Sequence, residues 1–91
     1  MSNDGIMAPD AVAPEAQTFG DAVRRFRTER GLTQEKLAQA SDLTTNYVSD
    51  IERGRTMVSL NTILKLSYGL DCAPVDLLSD FTLSAVRRLF K

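Results

Sequence analysis

Apolar positions along the chain recur at helical spacing, and capping residues and glycines divide them into short blocks. From Thr18 onward, Phe19, Ala22, Val23 and Phe26 share one face, and Arg24, Arg25 and Glu29 lie opposite. Thr18 is the expected N-cap, with Asp21 three residues on, and Gly31 is the expected left-handed stop. Thr33 predicts the cap of a second helix, Gln34 to Ala40, that buries Leu37 and Ala38. Ser41-Asp42-Leu43 leaves room only for a tight turn. Thr44 predicts the cap of a third helix, Thr45 to Arg53, which buries Val48 and Ile51 and stops at Gly54. Arg55 to Val58 is a loop, and Ser59 caps a fourth helix expected to bury Leu60, Ile63, Leu64, Ser67 and Leu70. Pro74 suits the first turn of a fifth helix, with Val75, Leu77 and Leu78 inward. Thr82 to Lys91 sets Leu83, Val86, Leu89 and Phe90 on one broad face. No strand alternation occurs, so the chain reads as all-α: five helices and a candidate sixth.

Residues 1–17 have a different character. They hold two of the three prolines, three acids and no base, and their apolar residues show no period. This segment is expected to be a disordered acidic tail. It precedes a domain over 18–80 and an amphipathic extension over 81–91.

Composition narrows the chemistry. The chain has no histidine, which excludes Ser-His-Asp triads, Cys-His dyads and His-ligated metals. Its single cysteine, Cys72, cannot form an internal disulfide and reads as a small packing residue. No catalytic cluster, cofactor or small-molecule ligand is expected. No apolar run approaches the roughly 20 residues of a membrane span, and the N-terminus lacks the pattern of a signal peptide. A cytoplasmic location is the expectation.

The segment Gln34 to Arg53 meets the demands of a helix-turn-helix: two short helices, a turn of about three residues, and a small residue, Ala38, at the crossing. The stretch GLTQEKLAQASDLTTNYVSDIERGR resembles the lambda-repressor-like domains of phage repressors, Cro and xenobiotic-response-element regulators. The resemblance spans 18–80 and rests on Leu-Thr-Gln-x-x-Leu-Ala, Ile-Glu-Arg-Gly and Asp-Leu-Leu. Compact members include the controller proteins of restriction–modification systems. One departure is Asp42, where the family most often has Gly. Asp is among the few residues that tolerate the left-handed conformation.

The resemblance implies a partner, double-stranded DNA, and roles for individual residues. The third helix would lie in the major groove, with Thr44, Thr45, Asn46, Ser49 and Asp50 at base edges. These residues are also off the Val48/Ile51 stripe. Asn46 has the amide geometry to bond N6 and N7 of adenine, whereas Asp50 is repelled by phosphates unless it accepts from a cytosine amine. Gln34, Tyr47, Arg53, Arg55, Thr56, Ser59 and Asn61 are expected along the phosphate track. Arg27 and Glu52 are expected to form a structural ion pair between the first and third helices.

The family binds DNA as two-fold dimers on half-sites about one helical turn, roughly 34 Å, apart. Val75, Leu78, Phe81, Leu83, Val86, Leu89 and Phe90 are the candidate dimer surface. The alternative is that the C-terminal segment folds back on its own core. Two other functions stay open: an antitoxin that represses its own operon, and a protein-interaction adaptor that retains the fold.

The formal net charge of −1 is unusual for a DNA-binding protein. It is unevenly spread: −3 over 1–17, +1 over 18–60, −1 over 61–79 and +2 over 80–91. The near-zero total therefore predicts modest non-specific affinity, with discrimination left to base contacts and dimer geometry.

Overall fold

A computed structural model describes residues 13–90. The described residues form six helices and no strand: α1 (Pro14–Glu29), α2 (Gln34–Ser41), α3 (Thr45–Glu52), α4 (Leu60–Leu70), α5 (Pro74–Leu77) and α6 (Leu83–Leu89). The fold is all-α, as the spacing predicts.

Four hydroxyl caps open these helices. Thr33 Oγ1 accepts from the Lys36 amide at 3.0 Å, Thr44 Oγ1 from Tyr47 at 3.1 Å, Ser59 Oγ from Thr62 at 3.1 Å, and Thr82 Oγ1 from Ala85 at 3.2 Å. Each satisfies an amide that the first helical turn leaves without a partner.

Helices α1 to α4 also end alike. In each, the amide just after the left-handed residue that ends the helix reaches back to a carbonyl five residues earlier: Leu32 to Arg27, Leu43 to Ala38, Arg55 to Asp50 and Cys72 to Ser67, at 2.9–3.1 Å. This is the Schellman arrangement, which needs one residue in the left-handed region. Gly31 (φ 68°) and Gly54 (φ 71°) supply it for α1 and α3; Asp42 (φ 56°) and Asp71 (φ 55°) supply it for α2 and α4.

The core joins Phe19 and Val23 of α1, Leu37 and Ala38 of α2, Val48 and Ile51 of α3, Leu66 and Leu70 of α4, and Leu77 of α5. Helix α1 crosses α3 at Gly20, where a Cβ would overlap the Ile51 carbonyl oxygen. The missing side chain lets the two backbones touch and seats α3 against the first helix.

Three details differ from the sequence-based expectation. First, α1 begins at Pro14, so Thr18 lies inside the helix and is not its cap. Pro14 is preset for a first helical position, and Ala16 is buried against the fold. Residues 14–17 thus belong to the first helix; the expected disorder of 1–12 lies outside the described residues.

Second, α4 is rotated from the expected phase. Thr62, Leu66, Ser67 and Leu70 are buried, whereas Leu60 and Leu64 are exposed. The reason is the close crossing with α2: a Cβ on Gly69 would overlap Ser41 Oγ. That approach turns the Thr62–Leu66–Gly69 side of α4 toward α2 and leaves Leu60 and Leu64 outside.

Third, α5 is a single turn that buries only Leu77; Val75 and Leu78 are exposed. Helix α6 buries no residue. Val86 and Leu89 are half-covered, and Leu83 and Phe90 are exposed. Phe81, just before α6, packs against the core.

Candidate nucleic-acid interface

The helix-turn-helix is α2, the turn at Asp42–Thr44, and α3. Val48 and Ile51 hold the inner side of α3 in the core. Five positions from the α3 cap onward face out: Thr44, Thr45 and Asn46 are exposed, and Ser49 and Asp50 are partly exposed. The side chains of Thr45, Asn46, Ser49 and Asp50 form no hydrogen bond or ion pair with other described residues. Five polar residues thus form one open face at the start of a helix. Their donors and acceptors are of the kinds that read base edges in a major groove.

That face is flanked by cations. Arg53 and Arg55 are exposed and have no acidic partner among the described residues. Their backbone positions are set by the end of α3, where the Arg53 amide reaches Ser49 and the Arg55 amide reaches Asp50. Asn61 is exposed in the first turn of α4, beside the Ser59 cap. Thr56 is half-buried and donates to the Met57 carbonyl. The amides of Gln34 and Glu35 at the start of α2 have no partner among the described residues. Such amides suit an anion.

Besides Thr56, three residues assigned to phosphates, Tyr47, Ser59 and Gln34, have side-chain partners inside the chain. The Tyr47 ring packs on the core, and its hydroxyl lies 3.4 Å from Thr62 Oγ1, which in turn accepts from Ser59 Oγ at 3.2 Å. This chain of hydroxyls ties α3 to the first turn of α4. Gln34 Nε2 donates to Glu52 Oε1 at 3.0 Å.

Glu52 is the centre of the internal network. Its side chain is fully buried at the end of α3. Arg27 of α1 grips it with both arms of its fork, Nε to Oε2 at 2.6 Å and Nη2 to Oε1 at 3.0 Å. Arg27 Nη1 also donates to the Leu32 carbonyl at 2.8 Å. Arg24 Nε approaches Oε1 at 3.5 Å from the rim. Burial alone would push the Glu52 carboxyl up. The hydrogen bonds from Arg27 and Gln34 and the Arg27 charge outweigh it and hold the carboxyl below the usual range. The same hydrogen bond raises the Arg27 guanidinium further above its ordinary value.

This network joins α1, α2 and α3 through one carboxylate. Sequence reasoning named Arg27 and Glu52 but missed Arg24, which its position on the polar face of α1 disguised. It also missed the inward turn of the Gln34 amide, because a helix-opening glutamine carries no local sign of a partner 18 residues away.

The helix-turn-helix family pattern matches residues 23–77. The control protein C.BamHI of Bacillus amyloliquefaciens is 51% identical over 65 residues, covering 70% of this chain and 79% of its own. Among solved structures, the restriction-modification controller protein C.AhdI from Aeromonas hydrophila is similar with a TM-score of 0.68 at 46% identity, over 69% of this chain and 96% of that one. The clp gene regulator ClgR from C. glutamicum is similar with a TM-score of 0.69 at 33% identity, over 76% of this chain and 90% of that one.

Proposed function

This chain belongs to the helix-turn-helix family of transcription regulators, and from that premise we propose that it binds a palindromic operator as a homodimer, each α3 entering one major groove. The observation that carries this reading is the open polar face of Thr44, Thr45, Asn46, Ser49 and Asp50, with Arg53 and Arg55, which have no acidic partner among the described residues, beside it.

The roles divide by chemistry. Asn46 bonds adenine in a bidentate manner, and Thr45 and Ser49 donate or accept at neighbouring bases. Thr44 contributes its hydroxyl hydrogen, since its oxygen already caps α3. Asp50 accepts from a cytosine amine. Arg53, Arg55, Thr56, Ser59 and Asn61 follow one strand's phosphates, and the α2 N-terminus with Gln34 holds the other side of the groove. Tyr47 contacts a sugar or phosphate through its half-exposed edge. Glu52 takes no part in contact; it fixes the angle at which α3 is presented.

Similarity to proteins named as restriction–modification controllers supports a regulated unit of that kind. The setting is cytoplasmic, and no helix among the described residues is long and apolar enough to cross a membrane. Family membership places the chain among regulators, not enzymes.

Selection of bound duplexes from a random library tests the reading. The expected result is a two-fold symmetric site with half-sites about one turn, roughly 34 Å, apart. Absence of any enriched sequence, or no mobility shift even at low salt, overturns it.

A further inference from the structure

The buried Glu52 carboxylate has more donors around it than it can use. Its Oε2 accepts from Arg27 Nε at 2.6 Å, and its Oε1 accepts from Arg27 Nη2 and from Gln34 Nε2, both at 3.0 Å. Two donors fill the lone pairs of one carboxylate oxygen. Arg24 Nε comes to Oε1 as a third, at 3.5 Å, the edge of hydrogen-bond reach. Of the groups that hold the Glu52 carboxyl down, Arg24 does the least. Two guanidiniums thus face one carboxylate, and the network keeps one positive charge in excess.

That excess charge sits on the outer arginine. The Arg27 side chain is 14% exposed, whereas the Arg24 side chain is 52% exposed. The Arg24 Nη groups have no hydrogen-bond partner among the described residues, and no acid other than Glu52 pairs with Arg24 there. Arg24 shares Oε1 with Gln34, the first residue of α2, so its guanidinium lies at the seam between α1 and the start of α2.

We propose that Arg24 is a backbone-phosphate contact: Nε leans on Glu52, and the Nη edge donates to a phosphate of the strand beside α2. This inference rests on the DNA-binding reading and adds to it a residue from α1. In that reading both assigned arginines, Arg53 and Arg55, follow α3 and serve one strand. The contacts assigned to the α2 side are a neutral glutamine and helix amides, and Arg24 supplies the charge which that side lacks. An arginine fork can give a phosphate two parallel donors. Leaning on a buried carboxylate narrows the directions the fork takes in the free protein, so less freedom is lost on binding. Its neighbour Arg25 is placed differently, paired with Asp80 at 3.2 Å.

Binding of a random-sequence duplex at several salt concentrations tests the assignment, with the full chain as parent and Arg24→Gln, Arg24→Lys and Arg25→Gln as variants. Arg24→Gln is expected to weaken binding roughly threefold to tenfold and to reduce the slope of log affinity against log salt by about 0.9, the share of one phosphate. Arg24→Lys should keep the parent's slope, because an ammonium also neutralises a phosphate. Arg25→Gln should keep it as well. An unchanged slope for Arg24→Gln overturns the proposal; a lowered melting temperature in that variant would then assign Arg24 to the fold instead. An equal loss of slope in Arg25→Gln also overturns it, since the effect would be a diffuse field and not a contact. So does an Arg24→Lys slope as low as that of Arg24→Gln. A parent that binds no duplex fails the DNA-binding reading itself, whereas a parent that binds with the same slope as Arg24→Gln fails this assignment alone.

Discussion

Arg27 and Glu52 are joined by a two-pronged contact, 2.6 Å and 3.0 Å, that spans 25 residues and couples α1 to the last turn of α3. The pair lies beneath the reading face, so it sets the position of residues that it never touches. Arg27→Ala leaves a buried carboxylate with much of its compensation gone, which costs about 3–5 kcal/mol. Chemical denaturation of the variant checks this; a loss well under 1 kcal/mol would show that the pair is solvent-screened after all.

The same carboxylate makes the fold sensitive to acid. Its folded-state value lies below the unfolded glutamate value of about 4.3. The stability it contributes is therefore fully present above that pH, and it declines as pH falls toward the folded value. Glu52→Gln should show a shallower loss of stability below about pH 4.3 than the parent, although it is less stable at neutral pH. Parallel acid-unfolding curves for the two proteins would contradict this.

Asp42 and Asp71 hold left-handed positions that glycine fills at the ends of α1 and α3. A left-handed conformation costs a typical L-residue roughly 1–2 kcal/mol, less for Asp, and glycine gives back part of that through its looser unfolded state. Asp42 also pairs with Lys65, but at 3.8 Å with a carboxylate that is 98% exposed, a contact of little worth. Asp42→Gly should raise stability by about 0.5–1 kcal/mol, read as an increase in melting temperature. A decrease would mean that the Lys65 pair outweighs the backbone.

Asn46 and Arg55 should fail in different ways. Asn46→Ala is expected to weaken the specific complex by about 1–3 kcal/mol and to relax the preference at one base pair. Arg55→Ala is expected to weaken all sequences alike and to reduce the salt dependence by about one unit. Titrations at several salt concentrations, on specific and scrambled duplexes, separate the two; interchanged patterns would reverse the assignments.

Cys72 should be a slow thiol. Burial raises it above its ordinary value; the Arg30 charge opposes this, and Asp76 and Asp71 each add a smaller push upward. Its reaction with a disulfide reagent near neutral pH is expected to be slower than that of a free peptide cysteine. Reaction at the free-peptide rate would show an accessible thiolate.

The sequence by itself determined the elements and their order. Thr33, Thr44 and Ser59 act within one helical turn, and the apolar pairs Leu37/Ala38 and Val48/Ile51 repeat locally, so both are legible without tertiary information. The open polar start of α3 follows from the same pattern, because it is whatever the Val48/Ile51 stripe leaves over. The tertiary structure decided the rest. Whether Leu60 or Leu66 is buried depends on how closely Gly69 lets α4 approach Ser41, a contact between helices that no window of residues contains. The start of α1 moved to Pro14 because Ala16 found cover in the folded chain. The engagement of Gln34 and Arg24 with Glu52 likewise needed three helices in place, since a lone buried carboxylate draws in donors from wherever the packed chain brings them within reach.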